Sequence, residues 1–240
     1  MSHKKNNILV FDTTTIACTV ALKTSQGIFS RHEESANIHS QALLSMIDEI
    51  LHEAKTALSD VDYLAVGVGP GSFTGLRIGI GVVQALAYTN SLPILAISSL
   101  EMLAVSAVTS DHEFDDGDML LVAHDARMSE IYMVTYELSR KNRLIVKTDI
   151  ILAKPEEVML FQSIDSPLNI CGNAWKEYSD KLTHLDLSRM KKFNIVVPDA
   201  KKVADYIDDY LVEFEPVCWQ ELQPIYVRND VAKKSSKTVL

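Results

Sequence analysis

Ile8-Leu9-Val10-Phe11-Asp12-Thr13-Thr14-Thr15 is an apolar run that stops at an aspartate followed by hydroxyl side chains. A short apolar run bounded by turn formers reads as a buried strand, here Ile8 to Phe11. An alternating strand follows at about Ala17 to Lys23, Gln26-Gly27 marks a hairpin turn, and a third strand leads out through about Arg31. The same opening recurs downstream. There the strand Leu120 to Ala123 ends at His124-Asp125-Ala126-Arg127, and another strand follows at Ile131 to Tyr136. Both halves close an apolar strand on an aspartate and start a second strand soon after, which predicts a duplicated domain.

Between these openings, helix one starts near Asn37 or His39. Its apolar positions Leu43, Met46, Ile47, Ile50, Leu51 and Ala54 keep the helical period. Val61 to Val68 reads as a buried strand, about Ser72 to Tyr88 as helix two, Ile94 to Ile97 as a strand, and Ser99 to Val108 as a helix. Acidic Asp111 to Asp118 reads as a linker. Beyond it come a strand at about Leu144 to Ile151 and helices near Pro155 to Phe161, Trp175 to Leu182 and Ala200 to Val212. The expected architecture is α/β, with mixed sheets and flanking helices. It divides into residues 1–110 and 111–240. The last ~25 residues can return to pack on the first half.

Composition narrows the function. A net charge of −9 disfavours a general nucleic-acid binder, because phosphate affinity rests on Lys and Arg. Lys233, Lys234 and Lys237 read as a frayed, solubilising tail rather than an anion site. Cys18, Cys171 and Cys218 are scattered, with no CxxC spacing, as expected of reduced and mostly buried thiols. MSHKKNN runs directly into the first strand, with no signal-peptide pattern. The nearest approach to a membrane span, Ile78 to Ser99, is broken by Gln84, Asn90 and Pro93. A soluble cytoplasmic protein with no membrane segment is the expectation.

Six of the nine glycines fall between Gly67 and Gly81, in VGVGPGSFTGLRIGIG. Glycines between a strand and a helix suggest a phosphate loop, but both known patterns fail. Leu76 and Arg77 follow Gly75 where a Walker A loop needs Lys and a hydroxyl, and Ser72 stands where a dinucleotide fingerprint needs its third glycine. Packing is the other explanation. Between Val61 and Ser110 only Asp62, Arg77 and Glu101 are charged, and helix two is apolar around its circumference. Such a helix must be covered on every side. Its cover is either the second half of the chain or another subunit. Gly75 and Gly79, four apart, would admit a second backbone, and a partner surface shared with helix one is the favoured reading. That surface comprises His39, Leu43, Met46, Ile47, Ile50, Gly75, Leu76, Arg77, Gly79, Ile80 and Val83. Arg77, the one charge on helix two, is expected to pair with a carboxylate on the partner or at the seam.

FDTTTIACTVAL, HSQALLSMIDEIL, GVGPGSFTGLRIGIG, HDARMSEIYMVTYE and PIYVRNDVA occur in this order across nearly the whole chain. Together they resemble the bacterial TsaB (YeaZ) family, and GPGSFTGLRIG is the most specific part. The resemblance implies a duplicated actin-like fold of the Hsp70 and sugar-kinase type. It also implies a role in making threonylcarbamoyladenosine in tRNAs that read ANN codons, as the non-catalytic partner of a TsaD-like transferase. A TsaE-like ATPase joins the complex, tRNA is met through the complex, and a homodimer forms when the partner is absent. The family's dimerisation helices correspond to about His39–Lys55 and Phe73–Tyr88. The one candidate cofactor is a nucleotide, ATP or ADP, at the partner interface.

Catalysis by this chain alone is disfavoured by its residues. Ser99 and Leu103 stand where the related transferase carries two metal-binding histidines, and the seven histidines form no HxxxH pair. Asp12, Thr13 and Thr14 read as a vestigial phosphate loop, with Asp12 an acceptor for turn amides ahead of a magnesium ligand. The second hairpin, Asp125-Ala126-Arg127, lacks the glycine that lets amides close around a phosphate. His124 beside Asp125 has no nucleophile nearby in sequence. The rival reading is a stand-alone ATP-dependent or peptidase-like enzyme of the same fold.

Overall fold

In a computed structural model, strand β1 (Ile8–Asp12) is buried along its whole length. Residues 6–34, 39–109, 114–139, 142–158 and 168–228 are described. β1 pairs antiparallel with β2 (Ala17–Thr24) and parallel with β4 (Tyr63–Gly67). β3 (Gly27–Glu34) extends the hairpin side and β5 (Ile94–Ile97) the parallel side, so the order is β3-β2-β1-β4-β5. The second half repeats the plan. β6 (Met119–Arg127) pairs antiparallel with β7 (Glu130–Ser139) and parallel with β10 (Asn169–Cys171). β8 (Arg143–Val146) and β11 (Lys191–Lys192) complete the order β8-β7-β6-β10-β11. The duplication expected from the two aspartates is present in the topology.

Helices α1 (His39–Glu53) and α2 (Phe73–Asn90) cover one face of the first sheet. α3 (Ser99–Val108) lies between the sheets. Met102 and Val105 join the first core, while Leu100, Leu103 and Ala107 join the second. α4 (Ala174–Glu177) closes the outer face of the second sheet. α5 (Ala200–Tyr210) comes from the second half of the chain but packs on the first sheet, through Val203, Ala204 and Ile207. Lys23, paired with Asp205 at 2.7 Å and Asp208 at 3.1 Å, ties it there. The closing segment also returns to the first half: Val217 bridges Ile94, Leu222 is buried, and the Ile225 N–H donates to the Val68 carbonyl at 2.7 Å. A cut at residue 110 therefore separates the sheets but not the cores.

Several predicted elements change on folding. The strand expected over Leu144 to Ile151 is split into β8 and β9 (Ile151–Ala153), which pair with opposite ends of β7. The chain steps between them where the Thr148 hydroxyl accepts from the Thr135 N–H at 3.0 Å, a side chain standing in for a backbone partner. The helix expected over Trp175 to Leu182 is one turn, Ala174–Glu177, continued by irregular turns that bury Trp175 and Leu182. Pro155 opens a single 3-10 turn ending at Glu157; the remainder of that predicted helix, from residue 159, lies outside the described residues. The helix from Ala200 ends at Tyr210 rather than Val212, tightening into a 3-10 turn. The cysteines divide, Cys18 and Cys171 buried and Cys218 exposed. Part of the acidic linker and the tail lysines lie outside the described residues.

The glycines of α2 face in different directions. A Cβ on Gly75 would overlap the Thr13 carbonyl oxygen, and one on Gly79 would crowd the Thr13 hydroxyl. A Cβ on Gly81 would meet nothing. Gly75→Ala is therefore expected to destabilise the protein by more than about 2 kcal/mol, as overpacking against backbone does. Gly81→Ala should stabilise it by about 0.5–1 kcal/mol through helix propensity. Urea denaturation of the two variants separates these signs.

Candidate functional site

The turn after β1 is built around the Asp12 carboxylate, which is 1% exposed. The Thr14 N–H and hydroxyl donate to it, each at 2.9 Å, and that hydroxyl also lies 2.8 Å from the Ser99 hydroxyl. Ser99 in turn accepts from the Gly69 N–H at 3.0 Å. On its far side Asp12 Oδ2 rests against Gly67, where any side chain would overlap it. The turn is seated on α2 as well: Thr13 donates to the Gly75 carbonyl at 2.7 Å and the Ser72 N–H donates to the Thr14 carbonyl at 2.7 Å. Burial lifts the Asp12 carboxyl from 3.8 to about 6, against the opposing hydrogen bonds from Thr14 and Ser99.

The matching turn in the second half is held by other means. Asp125 Oδ1 accepts from the Tyr178 hydroxyl at 2.6 Å and the Arg127 N–H at 2.7 Å, and Oδ2 faces the Arg127 guanidinium at 3.2 Å. A register shift between Asp125 and Arg127 is followed by three non-glycine residues at positive φ, Arg127, Met128 and Ser129. Such backbone persists only where neighbours fix it. Arg228 fixes it here: its guanidinium donates to the Ala126 carbonyl at 3.1 Å and ion-pairs with Glu130 at 2.5 Å. Within the turn, His124 is 8% exposed and its Nδ1 has no partner among the described residues. Burial pushes its ring down to about 4, outweighing nearby Asp125, so it is neutral at physiological pH.

The two turns face each other across a cleft of about 1010 Å³ between the halves. Phe73, Arg77, Arg127, Lys176 and Tyr226 line it together with His124. The Arg77 guanidinium stacks on the Phe73 ring, 3.6 Å from its centre, so the cation expected to pair with a carboxylate is held by an aromatic face.

The predicted partner surface is rearranged in the structure. Leu43, Met46, Ile47, Ile50, Leu76, Ile80 and Val83 lie in the chain's own first core, and Gly75 and Gly79 face the Thr13 turn. Arg77 is the predicted residue that is exposed; the side chain of His39 is outside the described set. The reason is periodicity: a helix has one inward face, and the apolar residues of α2 that repeat most regularly occupy it. What α2 presents outward is Thr74, Arg77, Gly81 and Ala85, flanked by half-buried Ile78 and Val82, with Leu44 of α1 53% and Tyr88 66% exposed. Part of the rest is covered by the chain itself, through Trp219, which packs edge-on against Tyr88 and accepts from Gln84 at 3.0 Å. Sequence reasoning missed Gly81, Tyr178 and Arg228; the spacing of Gly81 from the inward residues was the available signal. Asp12, Thr13 and Thr14 do come together, as one turn whose polar atoms bond within the fold. Ser99 joins that network and Leu103 joins the second core. Among the described residues no helix is long and apolar enough to cross a membrane, and no group of three His, Cys, Asp or Glu side chains could hold a metal ion.

Two similar halves, each opening with a strand, an aspartate turn and a hairpin, define a duplicated α/β protein with two mixed sheets. A family model described as TsaD, tRNA N6-adenosine threonylcarbamoyltransferase, matches residues 21–233. The chain is 32% identical over 228 residues to tRNA threonylcarbamoyladenosine biosynthesis protein TsaB of Escherichia coli (strain K12), covering 95% of this chain and 96% of that protein. It is 33% identical to the protein of the same description from Haemophilus influenzae, over 95% of both chains. A solved structure described as YeaZ from Pseudomonas aeruginosa superposes with a TM-score of 0.81 at 32% identity, over 92% of this chain and 99% of that one. The chain belongs to the TsaB (YeaZ) family.

Burial also raises Glu101 of α3 from 4.5 to about 7. For both Asp12 and Glu101 the folded state keeps a proton that the unfolded chain releases. Their stabilising protonation is complete at low pH and lost as pH rises, for Asp12 between about 4 and 6 and for Glu101 up to about 7. Stability should fall across that window by about 1.4 kcal/mol per pH unit for each group titrating. Urea midpoints between pH 4 and 7 should flatten below pH 6 in Asp12→Asn and in the upper part of the window in Glu101→Gln.

Proposed function

We propose that this chain is a non-catalytic scaffold subunit in the biosynthesis of threonylcarbamoyladenosine on ANN-decoding tRNAs, where it dimerises with a TsaD-like transferase and orders its active site. The observation that carries the reading is the outward face of α2, where Gly81 and Ala85 leave a shallow, uncharged strip between Ile78 and Val82. Small residues let a second helix approach closely, and exposed apolar residues along such a strip mark a protein interface. With no transferase present, the same strip supports a homodimer. A TsaE-like ATPase completes the assembly in the cytoplasm. The charge of −9 favours tRNA meeting the complex through its other subunits.

The stand-alone enzyme reading is weakened by the two turns, whose carboxylates are occupied within the fold. Any ATP or ADP then belongs at the seam with the partner. Mixing the purified chain with its own organism's TsaD and measuring mass by light scattering tests the proposal. A one-to-one complex is expected. Gly81→Arg with Ala85→Arg should abolish it while the far-UV circular dichroism stays that of the parent, since both positions are exposed. An undisturbed complex in that variant, or robust ATP turnover by the isolated chain, would sink the proposal.

A further inference from the structure

We propose that Met128, in the turn between β6 and β7, is a reversible oxidation site: a hydroperoxide converts its thioether to the sulfoxide, and the new oxygen tightens the hold of Arg228 on that turn. The inference rests on the turn and the closing segment alone, so failure of the heterodimer reading would leave it standing.

Exposure selects the site. Met128 is 81% exposed, whereas Met46, Met102 and Met133 are at most 7% exposed, and Met119 and Met190 are half-buried. An oxidant in solution therefore meets the Met128 sulfur ahead of the buried ones. Oxidation turns a flexible apolar side chain into a polar one, and reductases reverse it. With hydrogen peroxide the step balances. A sulfur lone pair attacks one peroxide oxygen, the O–O bond breaks as the S–O bond forms, and the other oxygen leaves as water with both hydrogens. Sulfur gives up two electrons and the peroxide takes them.

The neighbour of the sulfur gives the new oxygen a role. The Arg228 guanidinium sends Nη2 to the Ala126 carbonyl and to Glu130, and Nη1 to the Met128 sulfur at 3.2 Å. A thioether is a weak acceptor. A sulfoxide oxygen in its place offers the cationic donor a strong one, and hydrogen bonds with a charged partner are about twice as strong as neutral ones. Arg228 also ends a strap that crosses between the halves. Ile225 packs on the first core and its N–H donates to the Val68 carbonyl, while Val227 packs on the second core. Firmer attachment of Arg228 therefore acts on the strap and on the turn, where Arg127, Met128 and Ser129 stand in succession at positive φ. Asp125, the other carboxylate of the turn, is taken by Tyr178 and Arg127 and does not compete for Arg228.

The test is oxidation of the full, folded chain with limiting hydrogen peroxide, mapped by peptide mass spectrometry and followed by hydrogen exchange. Met128 should gain one oxygen before Met46, Met102 and Met133 do. Exchange should then slow by about threefold or more in peptides covering residues 127–130 and 225–228, the scale of one added hydrogen bond. Strands β1 and β2 should exchange as before, and methionine sulfoxide reductase should restore the parent rates. Met128→Leu should show no slowing under the same treatment. Arg228→Gln should still gain the oxygen at Met128 and show no slowing. The comparison of oxidised with reduced parent protein needs no variant, so it decides the matter even where Arg228→Gln folds poorly. Exchange that is unchanged or faster in both peptides after oxidation of Met128 overturns the proposal. So does oxidation of the buried methionines ahead of Met128, or equal slowing in Met128→Leu or in a folded Arg228→Gln.

Discussion

The seat of the β1–β2 turn on the first turn of α2 is the constraint from which the rest of the first half follows. Thr13 reaches the Gly75 carbonyl and the Thr14 carbonyl accepts from Ser72, so two backbone segments meet with no side chain between them. Gly75 permits that approach and Gly67 makes room for the Asp12 carboxylate beneath it. Once the turn is seated, the direction of α2 and its rotation about its own axis are fixed. Leu76, Ile80 and Val83 must then point into the core, and Gly81 and Ala85 must point out.

The same seat explains why a turn placed like a phosphate loop holds its own atoms. A phosphate loop needs free amides and a carboxylate exposed to a metal-bound water. Here the amide of Thr14 and the carboxylate of Asp12 satisfy each other, and Ser99 continues the chain of hydrogen bonds to Gly69. The second turn reaches a similar state by a different route, with Tyr178 and Arg127 filling the places that Thr14 fills in the first. Duplication preserved the strand order in both sheets, while local side chains closed each turn separately.

How much of this was legible in the sequence depends on the range of the interactions. The matched strands and aspartates gave the duplication because strand burial and turn chemistry are local. The composition of the GPGSFTGLRIG segment showed that close packing was needed there, yet not against what. The glycines at 75 and 79 were read as openings for a partner, whereas the neighbour is Thr13, more than sixty positions earlier in the chain. No periodicity within a helix carries that information. Arg228 and Tyr178 were hidden for the same reason, since each acts on a turn far away in sequence. The exchange of α5 onto the first sheet is likewise a tertiary event, and the strong amphipathic pattern of that helix is silent about which sheet it covers.

The outward strip of α2 and the interdomain cleft are separate surfaces, but they meet at the start of that helix. Phe73 lines the cleft, and Arg77, stacked on its ring, is also the first cation along the outward face. The guanidinium therefore stands where the two surfaces join, and its stacking on the Phe73 ring holds the one charge of α2 at that junction.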